Sequence, residues 1–175
     1  MYDDYINIWN ELKHLFETDD GSLPDIFIGN LTDQELIAAY EWLSTQCDAS
    51  DQTTVWSKEK NQDILLNEIP FPARAFCDGQ IESFHHWLKG LSVNGVTLPE
   101  LSICLFPNEL VIDYRMGAEW NEEKVLTLFA LLRRLQQIAP QARISQADEG
   151  GYKHPNIEFT QAFEAYSLSI RNFHL

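Results

Sequence analysis

The apolar positions of the first twenty residues recur at helical spacing. Tyr5, Ile8, Trp9, Leu12, Leu15 and Phe16 follow the i, i+3, i+4, i+7 pattern and make one stripe. Asp3, Asp4, Asn7, Asn10, Glu11 and His14 fill the rest of that surface, with the two aspartates at the end where the helix dipole favours negative charge. Asp19-Asp20-Gly21 ends the pattern, and the apolar run Leu23 to Ile28, interrupted by Pro24, reads as a loop. A second helix opens on a capping box, Thr32 with Glu35, and carries Leu36, Ala39, Tyr40 and Leu43 as its inner stripe. Asp33, Glu41 and Ser44 face outward.

Within residues 48–74, Thr53-Thr54-Val55-Trp56 has strand-like content, and Pro70 and Pro72 break what precedes them. Ile81, Phe84, His85 and Leu88 predict a third helix over residues 78–90, closed near Gly90, and Asn94-Gly95 predicts a turn. The best strand region is central. Leu101–Phe106 and Leu110–Arg115 flank Pro107-Asn108-Glu109 as a hairpin. Its second strand alternates, with Leu110, Ile112, Tyr114 and Met116 on one face and Val111, Asp113 and Arg115 on the other.

Asn121 caps a long helix running to Ile138, striped by Val125, Leu128, Phe129, Leu132, Leu135 and Ala139 and ended by Pro140. Ala142–Ser145 reads as a short strand and Asp148 to Asn156 as a loop; in Ile157 to Phe173, Ile157, Phe159 and Gln161 alternate as in a strand, but Phe159, Phe163, Tyr166 and Ile170 fit a last helix better. Together these elements predict one α+β domain over residues 1–175, with a hairpin-centred antiparallel sheet packed against about five helices.

A length of 175 residues with 45% hydrophobic and 22% charged positions suits one globular domain. No run approaches the ~18 apolar residues that a membrane span requires. The opening MYDDYINIW lacks the basic-then-apolar order of a secretory signal. Cys47, Cys77 and Cys104, odd in number and far apart, fit core thiols in a reducing cytoplasm. No membrane partner is expected.

Charge changes the picture more. Twelve of the first 51 residues are acidic and Lys13 is the only Lys or Arg among them, so this segment holds 11 of the 15 net negative charges. The remaining 124 residues carry 15 acids against 11 bases. A field of that sign attracts basic partners and repels nucleic acid and anionic lipid. Lys89, Arg133, Arg134 and Arg143 are too scattered to form a nucleic-acid stripe.

Catalytic patterns are weak. His85-His86, with Glu82 four residues before His86, lacks the i, i+4 histidine pair of a helical zinc motif. Asp113 and Arg115 share a strand face as a potential ion pair, and Asp113 with Glu109 or Glu119 matches paired carboxylates only as loosely as any pair among 27 acids would. There is no G-x-S-x-G elbow and no phosphate-cradling glycine spacing. No cofactor and no metal are expected. An enzyme would need a concave site with convergent polar groups, for which His86, Asp113, Arg115 and His154 are the candidates, and the lack of a cleft around any of them would end that reading. The segment Asp148-Glu149-Gly150-Gly151-Tyr152-Lys153-His154-Pro155 mixes flexibility, an aromatic and both charges, as contact loops do.

In small size, acidity and cytosolic character, the chain resembles the immunity proteins of bacterial toxin–immunity pairs. The resemblance implies a non-enzymatic protein that neutralises a basic protein partner, a cognate toxin domain, by direct binding. On that reading the steering surface comprises Asp3, Asp4, Glu11, Asp19, Asp20, Asp33, Glu35 and Glu41, with Trp9, Trp42 or Tyr152 as aromatic anchors. A DNA-mimicking inhibitor, a secretion chaperone and an uncharacterised hydrolase are the alternatives.

Overall fold

The computed structural model describes residues 3–48, 52–147 and 154–171. The chain opens with α1 (Asp3–Leu12), followed by β1 (Asp25–Gly29) and α2 (Asp33–Thr45). Next come the hairpin β2 (Thr54–Ser57) and β3 (Gln62–Leu65), then α3 (Pro72–Cys77) and β4 (His85–Trp87). A two-residue pair, β5 (Ser92–Val93) and β6 (Val96–Thr97), turns at Asn94-Gly95. The central hairpin β7 (Leu101–Phe106) and β8 (Glu109–Tyr114) leads into α4 (Glu122–Ile138), β9 (Arg143–Ala147) and α5 (Ile157–Arg171).

Five strands form one antiparallel sheet in the order β4-β7-β8-β1-β9. Its register separates two sides. On one side lie His86, Ile103, Ile112, Ile26 and Gln146 in a row, flanked by Leu101 with Tyr114 and by Leu105, Leu110 and Ile28. All of these are buried. The helices cover that side. Phe16, just past α1, stacks on Tyr114 at 4.9 Å, Tyr40 of α2 reaches His86, and α4 packs against α1, α2 and α5. Phe129 of α4 is enclosed by Phe159, Phe163 and Tyr166 of α5. The other face is more open, although Cys104, Val111 and Ala147 on it are also buried.

The strongest local signals behave as their chemistry requires. Thr32 Oγ1 accepts from the Glu35 amide while the Glu35 carboxylate accepts from the Thr32 amide, a complete capping box. Asn121 Oδ1 accepts from the Lys124 amide at the start of α4. The last helix is helical throughout its described length.

Three expectations need correction. Residues 78–90 hold no helix: α3 ends at Cys77, and Phe84, His86 and Leu88 are buried while His85 and Trp87 are exposed. That is a period of two, so this segment is β4 and its approach. Helical geometry in α1 stops at Leu12, with a 3-10 turn to Leu15, several residues before Asp19. The stretch Leu23 to Ile28 is mostly strand, because Ile26 and Ile28 alternate inward below Pro24. Pro72 starts α3, at a position where its missing N–H costs nothing.

Candidate functional site

Row by row, the open side of the sheet carries Trp87, Ser102, Asp113, Asp25 and Ala147, then His85, Cys104, Val111, Phe27 and Ser145. The register that makes these rows comes from the β7–β8 turn. Pro107 leads into Asn108, whose positive φ of 62° suits asparagine, and the Asn108 side chain donates to the Leu31 carbonyl at 3.0 Å. Ser102 is thereby set opposite Asp113, and its hydroxyl donates to Asp113 Oδ2 at 2.5 Å. His85 Nδ1 lies 3.7 Å from the same oxygen. Asp113 is only 13% exposed, so this polar cluster sits down on the sheet.

The β2–β3 hairpin forms a wall at the β4 end. It is fixed there by backbone bonds: Lys58 N–H donates to the Gln80 carbonyl and Glu82 N–H to the Trp56 carbonyl, at 2.9 and 3.1 Å. Val55 turns into the core and Trp56 turns out. Between wall and sheet runs a groove of about 740 Å³. Trp56, Asp63, Trp87, Glu100, Ser102 and Asp113 supply its chemistry, and Leu23 and Arg115 stand at one end. Trp87 is 54% exposed and Trp56 37%. Large apolar side chains left open beside one another mark a contact surface.

Arg115 is already engaged. Its Nε and Nη2 donate to Asp19 Oδ2 at 3.1 and 3.0 Å. The Gly21 amide, then the Arg115 guanidinium, hold the Asp19 carboxyl below its usual range. Ser22 does the same for Asp20 through its hydroxyl and its amide. Arg115 therefore pairs with Asp19 and not with Asp113, although both Asp113 and Arg115 line the groove.

The anticipated binding residues differ in exposure. Glu11, Asp19, Asp20, Asp33 and Glu41 are exposed, on α1, the turn after it and α2. Glu35 is half-buried and occupied by its capping box. Trp9 and Trp42 are partly exposed and packed in part against the core. Asp3 and Asp4 lie in α1, but their side chains, like all of Tyr152 and the loop through Lys153, fall outside the described residues.

Among the four candidates for an enzyme's site, Asp113 and Arg115 line the groove, and His86 lies on the covered side beneath Tyr40. His154 is exposed and lines no part of the groove. The Ser102 hydroxyl is directed at a carboxylate, and His85 faces that same carboxylate, so the arrangement does not place the imidazole on the hydroxyl. Burial lowers the proton affinity of His86 and pushes the Tyr40 hydroxyl up to about 12.

Cys104 is buried with its thiol pushed up to about 11, and burial also raises Cys47 and Cys77. Such thiols are poor nucleophiles. Glu82 and His86 are separated along near-extended chain by about 13 Å, too far to share an ion. No group of three or more metal-ligating side chains occurs among the described residues. No helix among them is long and apolar enough to cross a membrane.

Sequence reading missed Trp56, Asp63, Trp87, Glu100 and Ser102. Only Trp87 left a usable signal, the alternation of Phe84, His86 and Leu88 around it. Comparison with protein-family models, curated proteins and solved structures finds no match to this chain.

Proposed function

We propose that this chain is a non-enzymatic acidic binding protein. It neutralises a basic protein partner by direct contact, in the manner of an immunity protein covering a cognate bacterial toxin domain in the cytoplasm. The observation that carries this reading is the uncompensated charge on folded surface. Glu17, Asp20, Asp33, Glu41 and Asp48 are exposed, and none has an ion partner among the described residues. They stand on helices and tight turns, in a chain of net charge −15. A rigid field of one sign accelerates encounter with the opposite sign by about 10- to 1,000-fold. The engaged groove hydroxyl and the raised thiols favour binding over nucleophilic chemistry.

The test is co-expression with the products of the flanking genes, followed by association kinetics on any complex. Reversing Asp20, Asp33, Glu41 and Asp48 to Lys slows association at least about tenfold and flattens its salt dependence. Failure to form a complex with any basic product, or an association rate indifferent to the reversal, overturns the reading.

A further inference from the structure

We infer that the groove between the open side of the sheet and the β2–β3 hairpin is the seat for a cationic side chain, arginine or lysine, projecting from a segment of the basic partner. This rests on the binding reading above and adds the site and its chemistry. Indole rings are the strongest aromatic acceptors of a cation, and the groove offers Trp56 and Trp87. Two of its carboxylates, Asp63 and Glu100, are exposed and have no ion partner among the described residues. Asp113 adds a third carboxylate at the floor, held by the hydrogen bond from Ser102.

The positive charge present does not balance these groups. Among the described residues Arg115 is the only Lys or Arg lining the groove, and Asp19 holds its guanidinium at 3.0 Å. An incoming cation would therefore meet ring faces and free carboxylates together. A neutral apolar segment would have to desolvate those carboxylates with nothing in return. A second copy of the chain, at net charge −15, brings the wrong sign. At about 740 Å³ the groove has room for a side chain and the backbone that carries it. Its walls are built in advance, Trp87 by pairing opposite Ser102 and Trp56 by the bond from Glu82, so little ordering is lost on binding.

The experiment is an NMR and tryptophan-fluorescence titration of the intact chain with a blocked Gly-Arg-Gly-Arg-Gly peptide and its citrulline counterpart, equal in shape but uncharged. The arginine peptide should move the indole N–H signals of Trp56 and Trp87, and the citrulline peptide should not. Trp87→Ala and the double change Asp63→Asn/Glu100→Gln should each weaken binding about tenfold. The charge-matched control on the covered side, Glu123→Gln on α4 with Glu164→Gln on α5, should change it by less than about twofold.

The Asn/Gln double variant preserves shape at exposed positions, so it reads binding even if Trp87→Ala loosens the fold. Equal loss in the control and groove variants overturns the seat while leaving the basic-partner reading intact. Indifference to arginine against citrulline also overturns the seat, and the whole-protein complex remains the separate test of that reading.

Discussion

His85 and His86 are chain neighbours with opposite circumstances, as are Asp113 and Tyr114. His86 and Tyr114 point to the helix side of the sheet. His86 Nδ1 lies 3.0 Å from the Tyr40 hydroxyl, while the Tyr114 hydroxyl donates to the Leu15 carbonyl and accepts from Gln146 Nε2. His85 and Asp113 point to the other side, near each other and facing the groove. On the helix side His86 Nδ1, the Tyr114 hydroxyl and Gln146 Nε2 exchange water for protein partners, while His86 Nε2 and Gln146 Oε1 have none among the described residues, and an unmatched buried group costs about 1–3 kcal/mol. On the open side the exposed groups, such as His85 and Trp87, have water as a partner, so residues there can be chosen for what they bind. Stability should therefore follow the helix side and recognition the open side.

The largest effect expected is at Tyr114. Cutting it to alanine removes a fully buried ring that contacts Phe16 and Trp120 and orphans the amide of Gln146. A loss of about 3–5 kcal/mol in urea unfolding is expected, and about 1–2 kcal/mol for Tyr114→Phe. Asp113→Asn, one residue away, should cost less than about 1 kcal/mol, since the amide oxygen still accepts from Ser102. If Asp113→Asn proved as damaging as Tyr114→Ala, the division of labour between the sides would be wrong.

A second pair sharpens the comparison where it is least clean. Ile103 and Cys104 are both buried, yet Cys104 belongs to the open side, in the row between His85 and Val111. Ile103→Ala should cost about 2–4 kcal/mol, and Cys104→Ala about 1 kcal/mol or less, because a smaller group is removed. With its thiol raised to about 11, Cys104 should also react more slowly than Cys47 or Cys77 with a thiol reagent at pH 8. Mass spectrometry of partly labelled protein reads that order.

How much of this was legible beforehand follows from the range of each signal. The β7–β8 hairpin and α4 were readable because alternation, a Pro-Asn turn and an Asn cap lie within a few residues of what they control. Residues 84–88 were misread because histidine counts as either polar or apolar, and β4 is three residues long, too short for alternation to outweigh a helical pattern. In β1 the alternation of Ile26 and Ile28 was hidden behind Pro24. The groove was not legible. Leu23, Trp56, Trp87 and Asp113 come from separate stretches of chain and meet only through strand pairing and the anchoring of β2–β3. The N-terminal acidity was plain in the sequence, but its spread over α1, the following turn and α2 depends on tertiary structure.

On the helix side, pH offers a third test. Burial lowers the pKa of folded His86 below its ordinary value of 6.5. The unfolded chain therefore binds the proton first as pH falls. The contribution is intact above about 6.5, and stability declines below that until the folded pKa is passed. His86 packs against Tyr40, and no charged group accompanies desolvation as a cause of its shift. Replacing the pair together, Tyr40→Phe with His86→Leu, removes the titrating group without orphaning its partner. Urea midpoints taken from pH 7.5 to pH 5 should fall less steeply for the double variant than for the unaltered chain. Parallel slopes would mean that other groups dominate the acid response.

The smallest stability effect expected is at Trp87, although it is among the largest side chains. More than half exposed at 54%, it forfeits little buried area when cut to alanine, and its strand pairing with Ser102 runs through the backbone. A change within about 0.5 kcal/mol in urea unfolding is expected. Leu88, its neighbour on the helix side, is 1% exposed and should lose about 2–5 kcal/mol on the same truncation. The comparison also works in reverse. If Trp87→Ala unfolded the protein, the indole would be holding the β2–β3 wall in place, and its exposure would no longer speak for binding. If the variant is as stable as the unaltered chain, a large open indole with no structural duty stays on the surface at the cost of an apolar contact with water, and the expense is best explained by what the groove takes up.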